Sequence, residues 1–257
     1  MKYYNDYHTY DSVSAAYLGT LEDVLLNPTY KTAPRGLPIR EKVDYMFHVL
    51  NPTSNPIVTE DQERNLVIAD YTAKEVELYN SCSNRVEDFA KASKFWEKIA
   101  NSDGTINSAY GYLIWMNKSC GREAGFAYYG ENVTPWEWAK QSLIKDKDSR
   151  QAFMRFSLPE HQYISNKDQT CTMHANFLIR EDKLNLTVVM RSNDLWLGLT
   201  YDLPWFCSLI DRMVDELKLT YPTLTKGTYT HLAHSAHIYE RDLAKIEKAL
   251  GFVSKEI

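Results

Sequence analysis

Residues 174–191 restrict the fold more than any other stretch of the chain. His174 to Arg180 (HANFLIR) and Lys183 to Arg191 (KLNLTVVMR) both read as strands, and only Glu181-Asp182 lies between them. Two residues between two β-like runs leave room for little except a tight antiparallel hairpin. Leu184, Leu186, Val188 and Met190 recur at every second position of the second run, so one face of that strand is expected to be buried. A buried face needs a cover. Leu203 to Leu219 supplies one, an amphipathic helix with Leu209, Ile210, Met213 and Leu217 on one side.

Further helices are expected along the chain. Residues 11–26 carry Asp11 as a candidate N-cap ahead of Val13, Ala16, Leu18, Leu21 and Val24. A second helix is read over 72–82. Thr134-Pro135-Trp136-Glu137 is a capping box with proline at the first helical position, opening a helix to about Ile144. The last helix spans Tyr239 to Leu250 and stops at Gly251. There is no repeat, low-complexity tract or long linker. The most loop-like segment, Asn51 to Asp61, comes too early to divide two substantial domains. Helices mixed with an antiparallel hairpin indicate one domain over residues 1–257, of α/β (α+β) class, long enough to bury a full core.

Composition narrows the partners. At 44% hydrophobic and 25% charged residues the chain is an ordinary globular protein, not a disordered one. A formal net charge of −5 gives it no general attraction to a phosphate backbone, so nucleic acid is not an expected partner. A small phosphorylated ligand needs only a few local arginines. No stretch reaches the roughly 20 apolar residues of a membrane span. The opening MKYYNDYHTYDS has no apolar signal core behind Lys2. Cys82, Cys120, Cys171 and Cys207 form no CxxC and no regular framework, so a soluble cytoplasmic protein with free thiols is expected.

Few residues point to chemistry. Taken alone, Cys171 reads as a small packed hydrophobe ahead of a strand. Arg191-Ser192-Asn193-Asp194 ends the next strand, and Arg180 ends the strand before it. Guanidinium groups near a thiol lower its pKa and make it a usable nucleophile, and the same arginines suit a phosphate. His231, His234 and His237 are spaced by three, as zinc ligands on a helix would be. Their segment, THLAHSAHIY, is not clearly helical and lacks a cysteine or carboxylate at ligand spacing, so no metal site is expected. Tyr110-Gly111-Tyr112 and tryptophans 96, 115, 136, 138, 196 and 205 are expected in the core.

From Cys171 to Asp202 the chain reads CTMHANFLIREDKLNLTVVMRSNDLWLGLTYD. This resembles the thymidylate synthase family, in which a nucleophilic cysteine is followed 20 residues later by Arg-Ser-x-Asp and then a Gly-Leu loop. Cys171, Arg191, Ser192, Asp194, Gly198 and Leu199 keep that spacing without a gap. Trp96, Asp103-Gly104 and Tyr110-Gly111 resemble the family's Trp…Gly…Tyr-Gly segment. Asp148-Ser149-Arg150 resembles its Asp-Ser-Arg-Arg loop, and His237-Ile238-Tyr239 its His-x-Tyr segment. Glu75 and Arg35 match more loosely.

Three departures stand out. Thr172 replaces the usual histidine, Gln151 replaces the second arginine of the Asp-Ser-Arg-Arg loop, and Asp202 replaces the asparagine that reads uracil. Asp202, with Cys-Thr and the flanking pattern, is similar to the phage deoxycytidylate hydroxymethylase branch of the family. The family's long closing segment at the carboxyl terminus is short or rearranged in Phe252 to Ile257.

The resemblance implies a thymidylate synthase-like fold, a twisted mixed sheet with surrounding helices, packed at a homodimer interface with shared active sites. It implies 5,10-methylenetetrahydrofolate as co-substrate and no metal. Cys171 would add to C6 of a pyrimidine with Arg191 aiding its ionisation. Glu75 would carry the proton transfers, assisted by Tyr110. Arg35, Arg191 and Ser192, with Arg150 of the partner subunit, would hold the 5′-phosphate. His237 and Tyr239 would bond the sugar hydroxyl. Trp96, Asp194 and Gly198 would meet the pterin. Water or hydride in the last step would give hydroxymethyl or methyl.

Asp202 has its own hydrogen-bond logic. Cytosine presents an N3 acceptor beside an N4 donor, the reverse of uracil. A protonated Asp offers one donor and one acceptor, and an ionised one accepts from N4 and from a cytosine protonated at N3. The expected substrate is therefore dCMP, with dCMP methylation, CMP hydroxymethylation and dUMP methylation as alternatives. A catalytically inactive nucleotide-binding relative is a further one, against which Cys171, Glu75 and Tyr110 speak. Asp202 also stands where it would cap a helix beginning near Leu203.

Overall fold

The computed structural model describes residues 8–116 and 133–252. Cys120 and residues 253–257 lie outside them. The elements run β1 (His8–Tyr10), α1 (Val13–Leu26), β2 (Tyr30–Thr32), β3 (Ile39–Val49), α2 (Gln62–Asn80), α3 (Val86–Ala92), α4 (Phe95–Ile99) and α5 (Tyr110–Trp115). They continue with α6 (Pro135–Lys145), β4 (Phe153–Arg155), β5 (Thr172–Arg180), β6 (Lys183–Met190), β7 (Asn193–Asp194), α7 (Thr200–Leu217), β8 (Thr225–Tyr239) and α8 (Leu243–Ala249).

The strands form one mixed sheet in the order β1-β3-β8-β6-β5-β4, with β2 on β3 and β7 on β8. β8 is antiparallel to β3 but parallel to β6 and β7. One face of the sheet is the core. Phe177, Leu186, Val188 and Tyr229 are fully buried there, as are Tyr17 and Leu21 of α1 and Trp205, Phe206 and Ile210 of α7. Alternation puts Met46, Leu178, Val189 and Leu232 on the opposite face among Asn176, Thr187 and Thr230, and all of these are only half-buried.

The hairpin forms as its sequence requires. Glu181 and Asp182 both take left-handed backbone, with φ of 51° and 56°, the geometry of a two-residue turn that matches strand twist. The capping box also forms, with the Thr134 hydroxyl accepting from the Glu137 N–H at 3.3 Å.

Several boundaries differ from expectation. Ser12, not Asp11, caps α1 by accepting from Ala15 N–H. α2 begins ten residues before the expected start, at Gln62, where the Asp61 carboxylate takes the N–H groups of Glu63 and Arg64. Its buried stripe is Ile68, Thr72, Glu75, Leu78 and Tyr79; a stripe containing Thr and Glu hides from a hydrophobic period. Tyr239 ends β8, and the final helix covers only Leu243–Ala249. α7 starts at Thr200, after a π-helical turn Leu195–Leu199 capped by Asp194. Asp202 therefore lies inside the first turn of α7 and does not cap it. Trp138 is exposed and Trp115 half-buried, so these two are not core residues.

α2 and α5 touch at Gly111. A Cβ there would lie 1.8 Å from the carbonyl oxygen of Tyr79, so only glycine admits this approach. Gly111→Ala should lower stability by about 1–3 kcal/mol, the usual cost of overpacking. A urea or thermal melt checks this; an unshifted midpoint would show that α2 and α5 do not approach this closely.

Candidate active site

Cys171 lies one residue before β5, and Arg191 one residue after β6. The two-residue hairpin sets these ends side by side, and Arg191 N–H donates to the Cys171 carbonyl at 2.8 Å. The guanidinium is held by the carbonyls of Thr170 at 3.1 Å and Gln169 at 2.5 Å, and its Nη2 is 3.6 Å from Cys171 Sγ. Burial pushes the thiol pKa up. Arg191 opposes that rise, while Asp202, Asp168 and Asp194 add to it. The expected net lowering is therefore corrected: at this depth desolvation outweighs one guanidinium. Arg180 plays no part. It sits beside the hairpin turn, paired with Lys183, roughly 30 Å along the strand from Cys171.

Buried Glu75 feels the charge of half-buried Asp202, which also acts on that thiol. Glu75, on the buried stripe of α2, has its pKa pushed up to about 8 by burial and by the charge of Asp202; the Tyr79 hydroxyl, donating at 3.4 Å, works against this. Asp202 is pushed up to about 7 by burial, against a hydrogen bond from Asn193, with Asp194 adding to the rise. Asn193 Nδ2 donates to Asp202 Oδ2 at 2.8 Å. Gly198 makes room for this pair, since a Cβ there would lie 3.1 Å from Asn193 Nδ2 and 3.4 Å from Asp202 Oδ2.

Tyr110 opens α5 and is buried among Tyr79, Trp205 and Phe156. Its oxygen receives a 2.9 Å hydrogen bond from the Thr172 hydroxyl. The charges of Asp202 and Cys171 raise its pKa further. The buried carboxylate of Asp168 accepts from the N–H and hydroxyl of Ser108 at 2.9 and 2.6 Å. That bridge ties the loop before Tyr110 to the loop before Cys171.

The remaining expected residues fall into two groups. Asp194 pairs in register with His237 across β7 and β8. One Asp194 oxygen accepts from Trp196 and Leu197 N–H at 3.0 and 3.1 Å. His237 is buried with its ring edge-on to Tyr239, and Ser192 is half-buried between Arg191 and Asn193. Trp96 is buried, its indole N–H donating to the Tyr71 hydroxyl at 3.3 Å. Arg35 and Arg150 stand apart. Both are exposed, Arg35 in a turn with φ of 56°, and neither makes an ion pair among the described residues.

Asn193, Thr172, Tyr79 and Arg64 are the contacts that sequence reading missed. Arg64 stacks 4.3 Å over the Trp196 ring and donates to the Trp196 carbonyl, joining α2 to the π-helical turn. Of the four, Asn193 and Thr172 had a visible signal, the one inside Arg-Ser-x-Asp and the other directly after Cys171.

β8 turns His234 to the opposite face from His231 and His237. Among the described residues no three His, Cys, Asp or Glu side chains converge as metal ligands. No helix among them is long and apolar enough to cross a membrane.

Comparison with known proteins agrees with this geometry. Residues 15–255 match the protein-family model described as Thymidylate synthase. Deoxycytidylate 5-hydroxymethyltransferase of Enterobacteria phage T6 is 32% identical over 179 residues, covering 67% of this chain and 68% of its own. The protein of the same description from Enterobacteria phage T4 is 31% identical over the same coverage. The thermostable thymidylate synthase A of Bacillus subtilis superposes with a TM-score of 0.69 at 20% identity, over 93% of this chain and 84% of that one.

The raised carboxyls predict how stability varies with pH. Glu75 binds its proton more tightly folded (about 8) than unfolded (4.5). Its contribution is complete below about pH 4.5 and is lost as pH rises toward 8. Glu75→Gln should remove this dependence, so wild type should lose on the order of a few kcal/mol relative to the variant between pH 5 and 8. Urea midpoints of both proteins at three pH values test it; parallel curves would show that Glu75 is not buried in neutral form.

Proposed function

The chain belongs to the thymidylate synthase family, and on that premise we propose that it hydroxymethylates C5 of dCMP through a covalent Cys171–C6 adduct. Members of this family transfer a one-carbon unit to a pyrimidine nucleotide, with methylenetetrahydrofolate as co-substrate. The observation that carries the finer reading is Asp202, a half-buried carboxyl with its pKa raised to about 7 and its Oδ2 held by Asn193. Near neutral pH it supplies the donor-plus-acceptor edge that cytosine needs. Its alternative role as a helix cap falls away, because its bond goes to a side chain and α7 begins two residues earlier.

The co-substrate supplies its carbon at the methylene level when bound. The chain's residues fit it in two respects. Asp194 keeps its second oxygen free of protein donors among the described residues, and Phe95 and Leu197 expose apolar surface beside Trp96 and Asp194 in the chain. Cys171 adds to C6, which makes C5 nucleophilic. The thiol must lose its proton first, and Arg191 at 3.6 Å is placed to hold the thiolate. Glu75, neutral at rest, and Tyr110 are the groups placed for proton transfer at C5 and the base. C5 bonds to the methylene carbon, the C5 proton and tetrahydrofolate leave, water adds to the resulting exocyclic methylene carbon and gives up a proton, and Cys171 departs from C6 as the thiolate. Arg35, Arg191 and Ser192 hold the phosphate in this reading, and His237 and Tyr239 the sugar.

The same reading makes the half-buried sheet face a homodimer interface, across which exposed Arg150 reaches the phosphate site of the partner subunit. Mixing inactive Cys171→Ser with inactive Arg150→Ala protein should restore one intact site per heterodimer. A monomer in solution, or no recovered turnover after subunit exchange, would remove the shared site.

Incubation with dCMP, dUMP or CMP and methylenetetrahydrofolate tests the reaction. The expected product is 5-hydroxymethyl-dCMP, identified by mass, without the absorbance change of dihydrofolate. Asp202→Asn should shift preference from dCMP toward dUMP. Two mismatched buried contacts at about 1–3 kcal/mol each correspond to roughly 10²–10⁴-fold. Wild type that already favours dUMP would overturn the assignment of substrate.

A further inference from the structure

Asn193 takes no part in the reaction described above, yet among the described residues it makes the one side-chain hydrogen bond to the carboxyl that reads the base in that proposal. It is 2% exposed. Its Nδ2 donates to Asp202 Oδ2 at 2.8 Å, and its Oδ1 has no partner among the described residues. An amide N–H and a carboxyl O–H cannot both point along the same line. While Nδ2 faces Oδ2, the proton of neutral Asp202 is favoured on Oδ1, because a carbonyl-type carboxyl oxygen accepts an N–H more strongly than a hydroxyl-type one.

We propose that Asn193 is a specificity-determining positioning residue: by donating to Oδ2 it biases Asp202 against the protonation pattern that uracil requires and toward the pattern that cytosine requires. The inference rests on Asp202 as the reader of the base. In the cytosine pair, Oδ1–H donates to N3, and Oδ2 accepts from N4 with the lone pair that Asn193 leaves free. Uracil needs the mirror image, a bare oxygen opposite N3–H and a donor opposite O4, so the proton would have to sit on Oδ2 and point at the base. With the amide as observed, Asn193 N–H occupies that oxygen. With the amide turned over, its Oδ1 would take the Oδ2 proton for itself. An Oδ2 that offers a hydrogen to O4 therefore either weakens its bond from the Asn193 N–H, which then meets a hydroxyl-type oxygen, or loses that hydrogen to the turned amide.

The surroundings of Asp202 make this control effective. Glu75, Tyr71 and Tyr79 of α2, Tyr110 of α5, Cys171 ahead of β5 and Tyr229 of β8 all feel its charge, and Asp194 raises its pKa. No cation is among them. The amide of Asn193 is the neutral donor that opposes burial at this carboxyl, so its removal raises the Asp202 pKa further.

The test measures kcat/KM for dCMP and for dUMP between pH 5.5 and 9 in wild type, Asn193→Leu, Asn193→Ser and Asp202→Asn, with melting curves to confirm folding. Asn193→Leu keeps the volume and removes both polar ends; Asn193→Ser serves if the leucine is not accommodated. A folded Asn193 variant should narrow the dCMP-to-dUMP ratio by about tenfold or more, by gaining on dUMP. The pH limb that belongs to Asp202 should move upward with it. If Asp202→Asn changes the preference while Asn193 variants leave both ratio and limb in place, this inference is overturned and the base reading stands. If Asp202→Asn changes nothing, the base reading itself falls and takes this inference with it. Equal loss on both nucleotides without movement of the limb would reduce Asn193 to a structural part, which also overturns the proposal.

Discussion

Ionising Asp202 makes it harder to ionise Glu75, and Glu75 is buried while Asp202 is half-buried, so neither charge is fully solvated. A buried carboxyl without a cation is tolerable mainly in its neutral form, so burial dictates where the protons of this site reside. The wall responsible is aromatic. Tyr79, Tyr110 and Tyr229 are themselves buried with raised pKa values, and Trp205 and Phe156 pack against Tyr110. The same dryness that keeps a carboxyl neutral at ordinary pH also holds the Cys171 proton on sulfur. In the proposed reaction a neutral Asp202 and an ionised Cys171 thus make opposed demands on one environment. Arg191 is the residue that separates them, because its charge lies beside the sulfur while Asn193, uncharged, lies beside Asp202.

These groups come from distant elements, so their geometry depends on a few tight joints. Gly111 lets α5 reach the Tyr79 carbonyl and sets Tyr110 against α2. Asp168 clamps Ser108, so the segments leading into Tyr110 and Cys171 move together. Arg64 stacks on Trp196 and ties α2 to the π-helical turn that carries Gly198 toward Asp202. Each joint acts on the chemistry by fixing where a titratable group sits, and small displacements at such a site are costly.

Residues 171–202 were legible before any coordinates because their constraints are local. A two-residue turn fixes the register, and the register alone brings Cys171 and Arg191 together at the open end of the hairpin. Thr134 and Glu137 cap α6 for an equally local reason, as their spacing is one helical turn. Glu75 was legible only by resemblance to a known family, since the buried stripe of α2 mixes Thr72 and Glu75 with Ile68 and Leu78 and blurs the hydrophobic period.

The sequence by itself determined the hairpin, the mixed α/β fold class and the family, since these follow from spacing within short segments. Tertiary structure alone decided the protonation of the site. Cys171 stands beside an arginine and still has a raised pKa; Asp202 stands near a helix start and does not cap it. Both outcomes depend on how deeply a group is buried and which charges from other elements face it. That information is absent from any local pattern, because it exists only when β5, α2, α5 and α7 close on one another and exclude water.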